Sequence, residues 1–404
     1  MRVTILGVGM GNPETLTLGG LRALERADAV IGASRLLASL PSSCGADRLT
    51  AITPSEIRSL LEEHSHWREA AVVMSGDIGF YSGTTALLPA LEGYEVETIC
   101  GITTVQYLAA KLRRPWQDVR LVSAHGIDCN IIGSVLSARE VFFLTGGKIT
   151  PSTILHVLCS SGLGLSEVTV GANLSYPDEW IVTDTANALR EESFPPLSSV
   201  WVRRSDPLRQ ELFCPGLPDD AFIRADVPMT KQEVRACVLA KLRVETEDVV
   251  YDIGAGTGSV GVELALLSPM SSVFAVECAP EACGLIRANR EAFCALNLTL
   301  VEGTAPEALS PLPPPQCAFI GGSRGRLEPI LSALLLKNPG VRVVISAIAV
   351  ETLGEALTDL KKLAFSGIEI TQLAVSRSKP VGTYHLMTGQ NPIFLLSAQG
   401  GERP

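Results

Sequence analysis

EDVVYDIGAGTGSVGVELALL, residues 247–267, is the stretch that sets the architecture of the second half of the chain. A run of apolar and β-branched residues ends at three glycines, Gly254, Gly256 and Gly258, and an apolar helical pattern follows. Glycine permits a tight turn and lets the backbone approach a ligand closely. The stretch therefore predicts a strand, a ligand-binding loop and a helix.

The rest of the second half repeats this alternation. Helices are predicted at 260–267, 280–294, 327–336 and 351–363, between strands at 248–253, 272–276, 298–301, 318–320 and 342–346. Two further strands, 369–374 and 393–397, follow with no helix between them. This order predicts an α/β fold with a Rossmann-like, doubly wound sheet and one antiparallel edge strand.

The first half also alternates strands with helices. The predicted strands are 3–8, 29–31, 71–74, 95–99, 119–123, 141–144, 167–170 and 199–202, and helical patterns include 16–27, 84–91 and 103–112. Such alternation predicts a largely parallel sheet covered by helices on both faces.

A proline-rich segment separates the halves. Prolines 207, 215 and 218 lie in a stretch without sustained periodicity, and proline disfavours both helix and sheet. We therefore predict a first domain at 1–204, a linker at 205–220 and a second domain at 221–404.

Composition narrows the class of protein. The chain has 33 basic and 43 acidic residues, which argues against a nucleic-acid partner. No signal peptide and no apolar run of membrane-spanning length is visible, so we expect no membrane association. The ten cysteines form no Cys-x-x-Cys pair and no zinc-ligand spacing. We expect reduced, mostly buried thiols, no bound metal and a cytoplasmic location.

The glycine loop at 254–258 fits two cofactor classes. Gly256, Gly258 and Gly261 satisfy the dinucleotide pattern G-x-G-x-x-G, and Glu277, at the end of the next strand, suits the ribose hydroxyls of either cofactor. Asp252 favours S-adenosylmethionine over a dinucleotide, because a carboxylate there would repel a pyrophosphate. S-adenosylmethionine carries sulfonium and ammonium charges, which a carboxylate attracts. We therefore predict that Asp252 and Glu277 contact S-adenosylmethionine.

Further blocks in the second half carry a resemblance. VPMTKQEVRA (227–236), VFAVE (273–277), VEGTAPEAL (301–309) and FIGGSRG (319–325) resemble the decarboxylating C15-methyltransferases of cobalamin biosynthesis, whose domain is a class I methyltransferase. The resemblance implies cofactor contacts at Thr230, Gly254, Ala255, Gly256, Thr257, Gly258, Glu277 and Ala305. Thr304 and Arg324 depart from the family pattern. Arg324 is a candidate catalytic residue that could reach a substrate carboxylate or face solvent.

Blocks in the first half resemble the tetrapyrrole (corrin/porphyrin) methyltransferases, in particular the C5 type. They are ILGVGMGNPETLTL (5–18), VVMSGDIGFYSGTTAL (72–87), CGITTVQYLAAKL (100–112), FFLTGGKITPSTI (142–154) and VTVGANLSYPDEWI (168–181). The resemblance implies cofactor contacts at Gly9, Asp77, Ile78, Gly79, Thr103, Thr104, Leu144 and Ala172. Thr103 could equally cap a helix, and Leu144 could belong to the core. His125 is a candidate acid–base or substrate-contacting residue.

Together the two halves resemble the fused precorrin-6Y C5,15-methyltransferase (decarboxylating) family. This implies two methyl transfers from S-adenosylmethionine to a polycarboxylate tetrapyrrole, loss of one acetate carboxylate, and a homo-oligomer. Arginine binds carboxylates well, so cationic side chains should line the clefts. The candidates are Arg113, Arg114, Lys148, Arg324, Arg326, Arg377 and Lys379.

Three alternatives remain open from the sequence. An RNA methyltransferase is disfavoured by the acidic balance and by the lack of aromatic residues among basic ones. An NAD-dependent oxidoreductase fused to one methyltransferase is disfavoured by Asp252. A non-enzymatic binding module is disfavoured by the two glycine-loop sites.

Overall fold

The chain divides into two compact units. The structure is a computed structural model that describes residues 1–41, 44, 46–126, 128–204 and 214–401. One unit comprises residues 1–131 with 138–206, and the other comprises 132–137 with 207–404. Residues 205–213, most of the predicted linker, lie outside the described part of the chain.

The first unit begins with a parallel sheet. Its strands are β1 (Arg2–Gly7), β2 (Ala29–Gly32), β3 (Asp47–Thr50), β4 (Glu69–Met74) and β5 (Glu95–Ile99), in the order β3-β2-β4-β1-β5. Its helices are α1 (Leu18–Arg26), α2 (Ser34–Ser39), α3 (Pro54–Glu63), α4 (Thr84–Ala90) and α5 (Thr104–Leu112). Alternate residues of β1 pack on opposite faces: Ile5 lies with residues of α3 and α4, and Leu6 with residues of α1 and α2.

A second sheet completes this unit. Its strands are β6 (Arg120–His125), β7 (Glu140–Gly146), β8 (Glu167–Ala172), β9 (Trp180–Thr185) and β10 (Ser198–Arg203), in the order β6-β7-β10-β8-β9. The helices of this part are α7 (Pro151–Ser160) and α8 (Ala186–Leu189). Helix α6 (Ile131–Leu136) follows β6 in the chain, and all of it except Ile131 belongs to the other unit. Only β6 and β7 pair in parallel, and the other three pairings are antiparallel.

The prediction of a largely parallel sheet in the first half therefore holds for β1–β5 and is wrong for β6–β10, which form a second, mostly antiparallel sheet. The connection between β8 and β9 contains no helix, so these strands pair as antiparallel neighbours. Strands β3 and β9 were not predicted, because both are edge strands with substantially exposed side chains and lack a continuous apolar run.

The second unit contains one large sheet and a hairpin. Its helices are α9 (Gln232–Leu242), α10 (Ser259–Leu267), α11 (Pro280–Ala292), α12 (Leu327–Lys337) and α13 (Val350–Lys362). Its strands are β11 (Val249–Ile253), β12 (Ser272–Glu277), β13 (Leu298–Glu302), β14 (Cys317–Ile320), β15 (Arg342–Ala347), β16 (Ser366–Leu373), β17 (Ser376–Val381), β18 (Tyr384–Gly389) and β19 (Ile393–Gln399).

The large sheet has the order β13-β12-β11-β14-β15-β19-β16. Strand β19 pairs antiparallel with β15 on one side and with β16 on the other, so β16 runs in the same direction as β11–β15. The predicted antiparallel strand therefore lies inside the sheet and not at its edge. Leu395 and Leu396 of β19 are fully buried in the apolar clusters on opposite faces of the sheet, as suits a strand with neighbours on both edges.

Helices pack on both faces of this sheet. Val250 of β11 lies in one apolar cluster with α9, α10 and α11, whereas Tyr251 and Ile253 lie in another with α12 and α13. The strand that leads into the glycine loop is thus fixed from both faces, which holds the loop at the carboxyl end of the sheet.

Part of the predicted linker belongs to the second unit. Arg235 of α9 is fully buried, and its guanidinium donates to Asp219 Oδ1 at 2.8 Å and to the carbonyl oxygen of Leu217 at 2.5 Å. Glu263 of α10 accepts from the Arg235 Nε at 2.8 Å and from the backbone N–H groups of Gly216 and Leu217. Residues 216–219 are therefore held by buried ion pairs and are not a free linker.

Cysteine burial differs from the prediction. Cys44, Cys283 and Cys317 are buried, whereas Cys100, Cys214 and Cys294 are exposed. Cys100 and Cys294 come directly after β5 and near the end of α11, where the chain turns at the surface. Among the described residues, no helix combines the length and the apolarity that a membrane crossing needs.

Candidate functional site

A cavity of about 730 Å³ lies in the second unit, where five parallel strands end. Its wall includes residues that follow each of the strands β11–β15, together with the segment 226–231 that precedes α9. Ligands of doubly wound sheets bind in this kind of crevice, where the strand order reverses. Here the reversal lies between β11 and β14.

The glycine loop of this cavity requires its glycines. Gly254, Gly256 and Gly258 have φ angles of +70°, +56° and +77°. A Cβ atom on Gly254 would lie 2.6 Å from the carbonyl oxygen of Gly322, and one on Gly256 would lie 2.9 Å from that of Pro228. The loop is therefore packed between the loop after β14 and the segment before α9, with its backbone facing the cavity.

Glu277 ends β12 and lines the cavity. Its Oε2 accepts from the Gly256 N–H at 3.0 Å, and its Oε1 accepts from the N–H groups of Cys278 and Ala279 at 2.8 and 2.9 Å. Burial alone would raise the pKa of Glu277, but these backbone donors outweigh it and leave the pKa below its usual value. Glu277 is therefore an ionised carboxylate held beside the glycine loop.

Asp252 occupies a different place from the one the charge argument implied. Its side chain is fully buried and is absent from the cavity wall, and its Oδ2 accepts from the Gly261 N–H at 2.8 Å. Burial, opposed by this hydrogen bond and assisted by the charge of Glu277, raises its pKa to about 7. Asp252 thus holds the first turn of α10 through Gly261. This geometry favours a structural role over a direct contact with a cofactor.

The other residues predicted for this site divide in the same way. Thr230, Gly254, Ala255, Gly256, Ala305 and Arg324 line the cavity. Thr257 and Gly258 do not, since Thr257 is fully buried and Gly258 forms the N-cap of α10. Arg324 is exposed and has a left-handed backbone with φ +52°. It lies on the β14 side of β11, whereas Glu277 lies on the β12 side.

Most other candidate cations are committed elsewhere or lie off the cavities. Arg326 forms a bidentate ion pair with Glu307, Arg377 pairs with Glu233, and Arg114 pairs with Glu167. Arg113, Lys148 and Lys379 are not on the wall of either cavity described here. Of the seven predicted cations, Arg324 alone lines one of the two cavities described here.

A second cavity, of about 240 Å³, lies in the first unit between its two sheets. His125, Thr104 and Leu144 are the predicted residues on its wall. His125 is exposed, and its Nδ1 lies 3.4 Å from the carbonyl oxygen of Thr145, which is a long contact. No carboxylate lies among the described lining residues, so His125 has no acidic partner there.

The remaining predicted residues of the first unit form the framework beside this cavity. Gly9 bridges to Gly76 through two backbone hydrogen bonds. Asp77 Oδ1 accepts from the Gly79 N–H and Oδ2 from the Gly101 N–H, which joins the loops after β4 and β5. Ile78 sits within the Asp77 turn and packs on the apolar core.

Two further predicted residues have clear structural roles. Thr103 is the N-cap of α5 and forms a capping box with Gln106. Ala172 is fully buried at the end of β8, opposite Ser198 of β10. Neither residue lines the cavity. Thr103 caps a helix, which is the alternative that the sequence left open for it.

Several lining residues were not predicted. The first cavity includes Gln390 and Asn391, and the second includes Arg35 and Tyr176, whose hydroxyl lies 2.6 Å from the Arg35 Nη1. Arg35 lies outside every motif of the sequence, so only tertiary packing reveals it. Tyr176 does lie in the quoted block 168–181, but the resemblance implied a cofactor contact only at Ala172 of that block.

Two family models match the chain. Residues 2–190 match the tetrapyrrole (corrin/porphyrin) methylases, and residues 220–399 match a precorrin methyltransferase domain. The first unit accordingly has the tetrapyrrole methylase fold, and both units have mixed α/β sheets.

Curated relatives agree with these matches, and a solved structure is also similar to part of the chain. A precorrin-6Y C(5,15)-methyltransferase (decarboxylating) of Sinorhizobium sp is 30% identical over 394 residues, which cover 96% of this chain and 94% of the relative. A probable cobalt-precorrin-6B C(15)-methyltransferase (decarboxylating) of Saccharolobus solfataricus is 40% identical over 47% of this chain and 96% of its own length. The crystal structure of a precorrin-6Y C5,15-methyltransferase of Geobacter metallireducens GS-15 is 38% identical, covers 47% of this chain and 98% of that chain, and has a TM-score of 0.44. The chain belongs to the family of precorrin-6Y C(5,15)-methyltransferases (decarboxylating).

Proposed function

We propose that this chain transfers methyl groups from S-adenosylmethionine to C5 and C15 of a precorrin ring and releases an acetate carboxylate as carbon dioxide. The observation that carries the proposal is the match to a decarboxylating C(5,15)-methyltransferase along 96% of the chain. The two cavities, one in each unit, supply a separate place for each methyl transfer.

The larger cavity suits S-adenosylmethionine. We assign its sheet to the Rossmann-like, doubly wound fold of class I methyltransferases, with the cofactor beside the loop at 254–258. The volume of about 730 Å³ falls within the range of roughly 300–1,000 Å³ that small-molecule sites occupy. The ionised Glu277 can accept the ribose hydroxyls, and the left-handed glycines leave backbone exposed to the ligand.

When bound, S-adenosylmethionine supplies an electrophilic methyl group. The chain contributes position and electrostatics, since holding the reacting atoms close and aligned is a large part of such catalysis. Glu277 and Arg324 lie on opposite sides of β11, and the cavity wall also carries Asp226, Lys231 and Glu281. We assign the cofactor to the Glu277 side and a substrate carboxylate to Arg324.

The smaller cavity is assigned to methylation at C5. Its cofactor would lie against the loops after β1, β4 and β5, which the Gly9–Gly76 bridge and Asp77 hold together. Arg35 is the one arginine or lysine among the described lining residues, and Tyr176 orients it. We assign Arg35 to a substrate carboxylate and keep His125 as the candidate acid–base residue.

The proposal includes the predicted organisation of the chain: a C5-type domain at 1–204 and a C15-type, decarboxylating domain at 221–404. It also includes the homo-oligomeric state and cytoplasmic location predicted from the sequence. RNA methylation and NAD-dependent oxidation are not proposed, since the relatives named above are precorrin methyltransferases.

Mass analysis of the product tests the proposal. The full chain is incubated with a precorrin-6Y substrate and methyl-labelled S-adenosylmethionine. We expect two labelled methyl groups gained and one carbon dioxide lost per ring. A product that keeps all of its carboxylates, or that gains only one methyl group under saturating cofactor, would contradict the assignment.

A further inference from the structure

The loop between β8 and β9, residues 173–179, closes one side of the smaller cavity. Leu174 and Tyr176 of this loop lie on the cavity wall. Asn173 and Ser175 both have left-handed backbones, with φ angles of +47° and +70°. Side-chain-bearing residues adopt this conformation at a cost, so surrounding contacts must hold the loop in place. We call residues 173–179 the clamp loop.

The clamp loop holds the glycine loop that follows β1, residues 9–11. The Ser175 hydroxyl donates to the carbonyl oxygen of Met10 at 2.8 Å. The Tyr176 hydroxyl packs so closely on Gly11 that a Cβ atom there would lie 2.3 Å from the phenolic oxygen. On its other side, the Met10 N–H donates to Thr15 Oγ1 at 3.1 Å. Met10 and its neighbours are thus fixed between the 3-10 turn at 13–15, which precedes α1, and the clamp loop.

Glu179 anchors the clamp loop. Its Oε2 accepts from the Ser175 N–H and from the Tyr107 hydroxyl, each at 2.7 Å, and its Oε1 accepts from Lys111 Nζ at 2.7 Å. Burial would raise the pKa of Glu179, but Lys111, Ser175 and Tyr107 together lower it below its usual value. The carboxylate is therefore ionised and fully engaged with donors from within its own unit.

These contacts connect two parts of the predicted cofactor site. Tyr107 and Lys111 belong to α5, whose first turn carries Thr103 and Thr104. Glu179 therefore ties this helix to Ser175, and Ser175 ties the clamp loop to Met10. None of the motifs that predicted cofactor contacts assigned a function to Glu179 or Ser175.

We propose that Glu179, acting through Ser175, is a positioning residue for the methyl-transfer site of the first unit. It sets the distance between the glycine loop at 9–11 and the start of α5, and so sets the fit of the cofactor between them. The inference rests on the proposed function, because it takes this cavity to be the C5 site.

The test compares two variants with a matched control in the full chain. Glu179→Gln removes the charge and keeps the shape, and Ser175→Gly removes the hydroxyl while allowing the left-handed backbone. Glu62→Gln is the control, because Glu62 forms an exposed ion pair with Arg58 on α3, away from the cavity. Methylation at C5 and at C15 is measured in the same sample at varied S-adenosylmethionine concentration.

We expect both variants to raise the KM for S-adenosylmethionine at C5 by about tenfold, the effect of one charge-assisted hydrogen bond, with a smaller change in kcat. C15 methylation provides the internal standard and should be unchanged in all three variants. Wild-type KM at C5 in both Glu179→Gln and Ser175→Gly would overturn the positioning role, as would equal loss at C5 and C15. A wild-type chain that methylates C15 but never C5 would instead refute the function assigned to this cavity.

Discussion

Asp252 is a buried carboxylate with one oxygen bonded to the Gly261 N–H and the other without a hydrogen-bond partner among the described residues. Its raised pKa of about 7 means that the folded chain binds a proton there that the unfolded chain releases near pH 3.8. Stability therefore falls as the pH rises from about 4 to 7 and stays reduced above that range. A shift from 3.8 to about 7 makes at most about 4 kcal/mol of stability pH-dependent.

Asp252→Asn should remove this dependence, because asparagine copies the protonated form and still offers an oxygen to Gly261. We expect the variant to be more stable than the wild type at pH 8 and to differ little at pH 4.5. Urea denaturation at the two pH values measures the difference. A variant that loses stability equally at both would show that Asp252 is charged throughout.

Arg35 and Arg324 provide a pair of matched substitutions, one in each cavity. Arg35→Gln should raise the KM for the precorrin about tenfold in C5 methylation alone, the effect of one lost charged hydrogen bond. Arg324→Gln should do the same for C15 methylation alone, with S-adenosylmethionine binding unchanged. Arg326→Gln is the control, since Arg326 is paired with Glu307 and lies off the cavity wall. An unchanged KM for the precorrin in both arginine variants would show that neither arginine contacts the substrate.

The order of motifs along the chain was enough to predict the lining residues Glu277, Gly254 and Arg324, because each follows a strand of one parallel sheet. The same reasoning failed for Asp252, since a strand residue two positions before the loop points into the core. It also missed Arg35, which reaches its cavity only through the packing of α2 near the clamp loop's Tyr176.

At the scale of elements, the segment 216–219 and helices α9 and α10 form one unit around Arg235. Arg235→Met should lower the free energy of unfolding by about 3–5 kcal/mol, because it leaves the carboxylate of Glu263 buried without a countercharge. Arg58→Gln, which breaks an exposed pair, should change it by less than about 1 kcal/mol. Denaturant unfolding of both variants measures the contrast, and equal effects would contradict the structural role of the buried network.

The sequence predicted most strands that are buried on both faces, such as β11 and β12, because their apolar runs are continuous. It missed β17 and β18, whose side chains are mostly exposed and carry no core-facing pattern. It also misplaced β19, since periodicity gives a strand's burial but not its neighbours in the sheet. Strand order depends on contacts between distant segments, as in the pairing of β15 with β19.

At the scale of the whole molecule, the two cavities lie in different units and share no lining residue. Glu277→Ala should therefore abolish C15 methylation and decarboxylation while C5 methylation survives. Loss of the carboxylate should weaken S-adenosylmethionine binding at that site about a hundredfold, from the loss of charged hydrogen bonds to the ribose. Product mass and cofactor titration of the full chain measure both effects. Equal loss of the two methylations would show that the sites are not independent.

The close contact between Gly254 and Gly322 has a consequence for how such a site can change over time. The backbones of the loops after β11 and β14 approach until a single methyl group at residue 254 would meet Gly322. Position 254 therefore accepts no side chain while the loop after β14 keeps its place. Substitutions that change the shape of this crevice are therefore expected at other wall residues, such as Arg324 and Thr304, because a side chain at position 254 would collide with the Gly322 backbone.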